Sequence, residues 1–273
     1  MKVLVTGANG MLGQDLCPYL EELGIMVIPT DYETMDITDS KQVEDVITKV
    51  RPDLIIHCAA YTNVDKAQED IETATKLNIE GAKNVAVSAN KINSTMVYIS
   101  TDYVFDGTKN TPYLPTDTPN PINNYGLTKY QGELEVQKHC EKYYIARTSW
   151  LYGHKGKNFV ETMISLADKP ELNVVNDQTG CPTWTMELIQ GILKILNKPY
   201  GIYHICGSGY TTWYGFADEI FKQINLKTNL KPCTTDKFPR PAKRPTYSVM
   251  ENNNLTRDWK EALSDYLKLR EEN

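Results

Sequence analysis

Short apolar runs rich in Val and Ile alternate with helix-period segments along the first two hundred residues of the chain. Such runs, separated by amphipathic helices, are typical of a parallel sheet that is covered on both faces. The order strand, helix, strand, helix therefore predicts a doubly wound α/β fold. Strands are predicted at residues 2–6, 25–29, 54–58, 95–100, 144–148, 172–175 and 202–205, and helices near residues 11–23, 39–50, 71–90, 121–142, 157–167 and 185–196.

The pattern changes towards the end of the chain. Residues 106–121 are rich in proline and predict a loop, and from Thr211 onward helices are joined by only short strands. The segment RPAKRP at residues 240–245 is expected to be irregular, and residues 260–272 are expected to form a terminal amphipathic helix. We therefore predict a first domain over residues 1–150, with sheet contributions from about 172–206, and an interleaved smaller lobe over residues 151–273.

Composition excludes several classes of protein. The 273 residues are 41% hydrophobic, which supplies a sizeable core and excludes a disordered or fibrous chain. The net charge is −6 and the basic residues are scattered, so no nucleic-acid partner is expected. No stretch has membrane-spanning length, and the first apolar run stops at Gly7, which predicts a cytoplasmic protein without a membrane partner. The six cysteines contain no C-x-x-C pair and are expected to be reduced and mostly buried.

A glycine-rich turn follows the first predicted strand. Gly7, Gly10 and Gly13 form G-x-x-G-x-x-G at the mouth of the first helix, where glycine lets a pyrophosphate approach the helix N-terminus. This context favours a dinucleotide site over the alternative, a tight turn with no ligand. Asp31 closes the second strand, where a carboxylate can accept hydrogen bonds from the adenosine ribose and favour NAD(H) over NADP(H). The alternative for Asp31 is a capping or turn aspartate.

Three side chains suited to carbonyl reduction are predicted at the carboxyl edge of the sheet. Tyr125 and Lys129 are four residues apart on one helix face, so that the ammonium can lower the pKa of the phenol. Thr101 ends the preceding strand and can hold the carbonyl oxygen, although by itself it could be an ordinary strand-end hydroxyl. Together these groups could hold a carbonyl, protonate its oxygen and position a nicotinamide ribose.

At this point the sequence resembles the extended short-chain dehydrogenase/reductase superfamily, and within it the dTDP-4-dehydrorhamnose reductase family. The resemblance covers nearly the whole chain and implies a Rossmann-type fold with a smaller C-terminal substrate-binding lobe. It rests on the motifs VTGANGMLG, HCAAYTNVDKAQ, YISTDYVFDG, YGLTKYQGE, RTSWLYG, NDQTGCPTW and RPAKRPTYS.

The family's site residues can be assigned to this sequence through those motifs. The resemblance implies a catalytic set of Thr101, Tyr125 and Lys129, with Lys129 on the ribose of NADH or NADPH. The implied cofactor contacts are Gly7, Gly10, Met11, Leu12, Asp31, Asp36, Ile37, Ala60, Tyr61, Thr62, Tyr125 and Lys129. The implied substrate contacts are Thr101, Asp102, Tyr103, Trp150, Asn158, Gln178 and Arg244. Trp150 could instead be a packing residue, and RPAKRP could be a solvated basic loop.

The implied reaction is reduction of the C4 keto group of a dTDP-4-dehydro-6-deoxy sugar to dTDP-L-rhamnose. Alternatives are a reductase that gives the C4 epimer and a non-catalytic dinucleotide-binding protein similar to the regulatory subunit of methionine adenosyltransferase. A dehydratase is disfavoured because Asp102 is followed by Tyr103 rather than by a second carboxylate. Some family members are metal-bridged dimers, but the short tail after Arg270 puts such an interface in doubt, so a homodimer is possible and no metal ligand is assigned.

Overall fold

A six-stranded parallel sheet forms the centre of the molecule in a computed structural model that describes residues 1–272. In chain order the strands are β1 (Lys2–Thr6), β2 (Met26–Thr30), β3 (Leu54–His57), β4 (Thr95–Thr101), β5 (Tyr143–Thr148), β6 (Leu151–Tyr152), β7 (Leu172–Val175), β8 (Thr179–Gly180), β9 (Thr183–Trp184), β10 (Gly201–His204), β11 (Thr211–Thr212) and β12 (Leu230–Cys233). The central sheet has the order β10, β5, β4, β3, β1, β2. The chain therefore reverses its winding direction between β1 and β3, which is where open parallel sheets bind ligands.

Helices cover both faces of this sheet, as the doubly wound fold predicts. Their bounds are α1 (Met11–Glu22), α2 (Ser40–Val50), α3 (Val64–Glu69), α4 (Ile71–Thr75), α5 (Ala82–Lys91), α6 (Asn124–His139), α7 (Phe159–Ser165), α8 (Thr185–Ile195), α9 (Trp213–Gln223) and α10 (Trp259–Glu272). In β1, Val3 and Val5 pack with α1 and α8, whereas Leu4 packs with α2, α5 and α6. Successive side chains of a strand point to opposite faces, so this burial on both sides explains the uninterrupted apolar runs.

Two predicted helices differ from the structure in their limits. The segment predicted at 71–90 is α4, a π-helical turn (Lys76–Gly81) and α5 rather than one regular helix. The helix predicted at 121–142 is shorter at both ends and ends at His139. It starts late because the Asn123 side chain caps α6 there, accepting a hydrogen bond from the Gly126 N–H at 2.8 Å. The six-residue helix α3 was not predicted, since so short an element shows no clear periodicity.

The strand predicted at 172–175 exists but does not join the central sheet, which corrects its expected place. It pairs in parallel with β12 in a separate two-stranded sheet. Leu172 and Val174 are buried against α7 and α9, whereas Asn173 between them is exposed. A strand of the central sheet is covered on both faces, so an alternating strand such as β7 fits a two-layer position in the smaller lobe.

The remaining elements complete the smaller lobe. The predicted terminal helix is α10, which packs through Trp259, Leu263 and Tyr266 against the aromatic cluster around α7 and α9. All six cysteines are free, and Cys140, Cys181 and Cys206 are buried. Within residues 1–272, no helix combines the length and apolar character needed to cross a membrane. Asn273, the last residue of the predicted lobe, lies outside the described residues.

Candidate active site

A cleft of about 660 Å³ opens where the strands of the central sheet end. Its wall is built by the turn after β1, the ends of β2, β3 and β4, the first turns of α6 and the segment after β5. The cleft therefore occupies the reversal point of the sheet. The predicted site residues that line it are Gly7, Gly10, Met11, Leu12, Asp31, Asp36, Ile37, Ala60, Thr62, Thr101, Asp102, Tyr103, Tyr125, Lys129 and Trp150.

The glycine-rich turn brings backbone, not side chains, to the cleft. Gly7 has a left-handed φ of 64°, and a Cβ on Gly13 would lie 2.5 Å from the Gly7 carbonyl oxygen, so no larger residue fits at either position. Gly10 caps α1 without a side-chain hydrogen bond, and the first turn holds no acidic residue. The free N–H groups and the helix dipole at this end suit an anion.

Asp31 occupies the far end of the cleft, at the end of β2. Its carboxylate accepts hydrogen bonds from the Asn9 N–H at 2.9 Å and the Tyr32 N–H at 2.8 Å. Asp31 therefore holds a turn and also lines the cleft. A turn role and a role in binding the adenosine ribose do not exclude each other. The neighbouring Asp36 accepts hydrogen bonds from the Thr38 N–H and hydroxyl, which fixes the second turn of this wall.

The loop after β3 is held by a residue that the sequence did not single out. Asn78, in the π-helical turn, accepts a hydrogen bond from the Tyr61 N–H at 2.8 Å and donates to the Tyr61 carbonyl at 3.2 Å. It also donates to the Thr128 hydroxyl on α6 at 3.0 Å. Tyr61 itself does not line the cleft, so its place is fixed through its backbone. The only signal in the sequence was a polar residue inside a helical pattern, and π turns are frequent at functional sites.

The hydroxyls of Thr101 and Tyr125 lie close together at the base of the cleft, where Thr101 favours the ionised form of the phenol. Thr101 ends β4 and also donates to an oxygen of Asp102 at 3.1 Å. Tyr125 lies in the first turn of α6, with its ring edge-on to that of Tyr103 at 5.6 Å between centroids. Burial raises the pKa of Tyr125 to about 12, although the neighbouring Thr101 side chain opposes this shift.

Lys129 is buried beneath the cleft floor. Lys129 is only 3% exposed, and its Nζ lies 4.0 Å from the centroid of the Tyr98 ring. Burial lowers the pKa of Lys129 to about 7. The expectation that Lys129 lowers the pKa of Tyr125 was wrong for this structure. Burial is the largest influence on the pKa of this phenol and raises it, and the nearby charge that acts on it is Asp102.

Asp102 and Tyr103 face the same cleft from the short helical turn after β4. Burial raises the pKa of Asp102 to about 6, against hydrogen bonds from Ser248 and Thr101 that favour the carboxylate. Burial also raises the pKa of Tyr103, which is hydrogen bonded to Arg244. The pair thus offers one acceptor that titrates near neutral pH and one hydroxyl that stays protonated.

Trp150 is both a wall of the cleft and a packing residue. Its ring stacks on Trp213 with 3.5 Å between centroids and 5° between planes. Gln178 lies behind this stack, where it accepts a hydrogen bond from the Trp213 indole N–H at 3.1 Å and donates to the Thr235 hydroxyl at 3.0 Å. Trp150 adopts a left-handed φ of 45°, a conformation that the stack helps to hold.

Three predicted substrate residues do not line the cleft. Asn158 caps α7 and donates to the Gly153 carbonyl, and Gln178 is engaged with Trp213 and Thr235. Arg244 is held by both oxygens of Asp65, at 2.5 and 2.9 Å, and reaches the site through Tyr103. RPAKRP is therefore not a freely solvated loop at Arg244, where the side chain is 17% exposed.

The fold and these groups define a dinucleotide-binding oxidoreductase of the short-chain dehydrogenase/reductase type. A family model described as "RmlD substrate binding domain" matches residues 1–271. The chain belongs to the dTDP-4-dehydrorhamnose reductase family, as the sequence motifs predicted.

Three similar proteins illustrate the relationship. The spore coat polysaccharide biosynthesis protein SpsK of Bacillus subtilis is 40% identical, over 98% of both chains. A dTDP-4-dehydrorhamnose reductase structure from Clostridium acetobutylicum is 45% identical, with a TM-score of 0.97 over 99% of this chain and 100% of that one. A dTDP-4-dehydrorhamnose reductase from Bacillus anthracis, solved in complex with NADP, is 42% identical, with a TM-score of 0.95 over 98% and 99% of the two chains.

Proposed function

We propose that this protein uses NADH or NADPH to reduce the C4 keto group of dTDP-4-dehydro-β-L-rhamnose to dTDP-L-rhamnose. The observation that carries the proposal is that Thr101, Tyr125 and buried Lys129 meet at the base of one cleft, in a chain of this reductase family. The complex of the Bacillus anthracis reductase with NADP supports the cofactor class.

The residues of the cleft fit a nicotinamide dinucleotide. The turn at Gly7 and Gly13 leaves backbone space that a Cβ would fill, and the first turn of α1 offers free N–H groups. Gly10, Met11 and Leu12 would hold the pyrophosphate in this arrangement. Asp31, Asp36 and Ile37 would hold the adenosine, and Ala60, Tyr61 and Thr62 the nicotinamide side, with Tyr61 acting through its backbone. When bound, the cofactor supplies the hydride.

The chain's own groups then handle the charge on the carbonyl oxygen. Thr101 would donate a hydrogen bond to this oxygen, and Tyr125 would transfer its phenolic proton to it as negative charge develops. With a pKa of about 12, Tyr125 is protonated at neutral pH and can act as the donor. Lys129 would hold the cofactor ribose beside this pair, and a proton from water would restore the phenol.

The sugar nucleotide would lie in the same cleft, and the lobe over residues 151–273 would support its wall from behind. Asp102, Tyr103 and Trp150 line the cleft and would contact the sugar or its diphosphate. Asn158, Gln178 and Arg244 would act behind this wall, since each is engaged with protein groups. A homodimer and a cytoplasmic location stay predictions.

A product assay tests the proposal directly. Purified protein would be incubated with NADPH and the sugar nucleotide formed by the upstream epimerase, and the product's C4 configuration assigned by NMR. We expect dTDP-L-rhamnose. The C4 epimer would show that hydride reaches the opposite face of the carbonyl, and cofactor binding without turnover would favour a regulatory protein.

Asp31→Ala is expected to shift cofactor preference towards NADPH. The carboxylate would accept hydrogen bonds from the NADH ribose and repel a 2′-phosphate, although exposure to water and salt keeps the effect modest. The measurement is the ratio of kcat/KM for the two cofactors, with Asp39→Ala, which removes a helix cap outside the cleft, as the control. An unchanged ratio would leave Asp31 as a turn residue only.

Arg244→Ala is expected to raise the KM for the sugar nucleotide at least tenfold, about 1.4 kcal/mol, with little effect on NADH affinity. The guanidinium is fixed by Asp65 and hydrogen bonded to Tyr103, so its loss would free one wall of the cleft. Arg240→Ala is the matched control, because this side chain is 59% exposed. Equal weakening of cofactor and substrate binding would indicate a folding defect instead.

A further inference from the structure

One fully buried carboxylate lies next to the proposed catalytic set but outside the cleft wall. Glu133 is 0% exposed and follows Lys129 by four residues on α6, so the two side chains are neighbours on one helix face. Buried carboxylates are rare unless paired, because loss of hydration costs more than most single contacts return. Its retention in this position therefore needs a physical reason.

Three hydrogen bonds fix the Glu133 carboxylate from two strands of the central sheet. Arg147 on β5 donates from Nε to Oε1 at 2.9 Å and from Nη2 to Oε2 at 2.7 Å, and the Ser100 hydroxyl on β4 donates to Oε1 at 2.5 Å. Arg147 is 1% exposed. The carboxylate is thus held in one orientation by groups that do not touch the cofactor or substrate in our proposal.

We propose that Glu133 is a positioning residue that acts through Lys129: one helical turn away, its fixed carboxylate is the counter-charge that lets the buried Lys129 act as an ammonium towards the cofactor ribose. This inference rests on the proposed role of Lys129 in the reductase site.

The other groups around Lys129 cannot supply a negative charge near neutral pH. Burial raises the pKa of the Cys58 thiol and the Tyr98 phenol, and lowers the pKa of His57 to about 3, so all three are neutral. Tyr125 is neutral as well, with its pKa of about 12. Of the two groups that raise the pKa of Lys129, Glu133 and Cys58, only Glu133 is a carboxylate, and it is held by a bidentate pair with the Arg147 guanidinium.

Asp102 is the remaining titratable group at the cleft floor. Its pKa is about 6, and it acts on Tyr125 rather than on Lys129. Its titration should not depend on Glu133. It therefore provides an internal reference when the charge of Glu133 is removed.

The test is a direct titration of Lys129 in protein carrying ¹³C-labelled lysine. The Cε resonance is assigned by its loss in Lys129→Met, and its midpoint is followed with pH in the protein without cofactor. In Glu133→Gln we expect the midpoint to fall by about one pH unit, because a neighbouring negative charge is lost. The pH dependence of NADPH binding, followed by fluorescence, should shift in the same direction.

Two further variants keep the test decisive. Ser100→Ala removes one hydrogen bond but leaves the charge of Glu133, so its Lys129 midpoint should stay near that of the wild type. If Glu133→Gln does not fold because Arg147 is left unpaired, Glu133→Gln/Arg147→Met is compared with Arg147→Met. Both lack the Arg147 charge, so the lower midpoint expected in the double variant reports the carboxylate alone. A folded variant without the carboxylate whose midpoint equals that of its reference overturns the inference. Because the titration needs no substrate, this outcome is distinct from failure of the proposed reaction.

Discussion

Tyr125→Phe is expected to lower kcat by two to four orders of magnitude, roughly the contribution of a positioned general acid. The phenol lies beside Thr101 and is the proton donor that α6 presents at the base of the cleft. The substitution removes one oxygen and leaves the ring, so the edge-on contact with Tyr103 and the binding of NADPH should persist.

The measurement is single-turnover reduction of the 4-keto sugar nucleotide, with cofactor binding followed separately by fluorescence. Tyr130→Phe is the matched control on the same helix, because Tyr130 packs against the cluster around Val104 and Phe105 and does not line the cleft. If Tyr125→Phe keeps more than about a tenth of wild-type turnover, Tyr125 is not the proton donor and another group must be sought.

Arg147→Met is expected to lower the free energy of unfolding by about 3–5 kcal/mol, because it leaves the Glu133 carboxylate buried without its partner. Arg147 and Glu133 join β5 to α6, so the loss affects the packing beneath the site as well as one ion pair. Urea unfolding, followed by circular dichroism, measures the effect.

Two comparisons separate this effect from a general loss of an arginine. Arg270→Met removes a pair with Glu161 in which the arginine side chain is 39% exposed, and it should cost less than about 1 kcal/mol. The double variant Glu133→Gln/Arg147→Met should recover most of the lost stability, since no unpaired charge remains buried. A double variant as unstable as Arg147→Met alone would show that packing around the Arg147 side chain, not its charge, is the dominant contribution.

Local patterns in the sequence determined the fold class and most of the cleft wall. The strands predicted at 2–6 and 54–58 and the helices predicted near 11–23 and 185–196 lie within a residue or two of β1, β3, α1 and α8. Strands buried on both faces and amphipathic helices leave this signal in any short stretch of chain. The G-x-x-G-x-x-G turn and the Tyr125 and Lys129 spacing are likewise local, so their place at the edge of the sheet follows from chain order alone.

Contacts between distant parts of the chain decided what the sequence could not. The pattern of residues 172–175 predicts a strand, but only packing against α7 and α9 places that strand beside β12 rather than in the central sheet. Arg244 was predicted as a substrate contact, yet its partner Asp65 is 179 residues away, and no local signal joins them.

The protonation of the site is also a product of the tertiary structure. The spacing of Tyr125 and Lys129 predicted a phenol with a lowered pKa, whereas burial raises the pKa of Tyr125 and lowers that of Lys129. Burial depends on which strands and helices close over a side chain, as β4 and β5 do around Glu133. Local sequence patterns therefore predicted which chemical groups reach the cleft. Their partners and charges arise only on folding, because hydration and long-range pairing are properties of the folded chain.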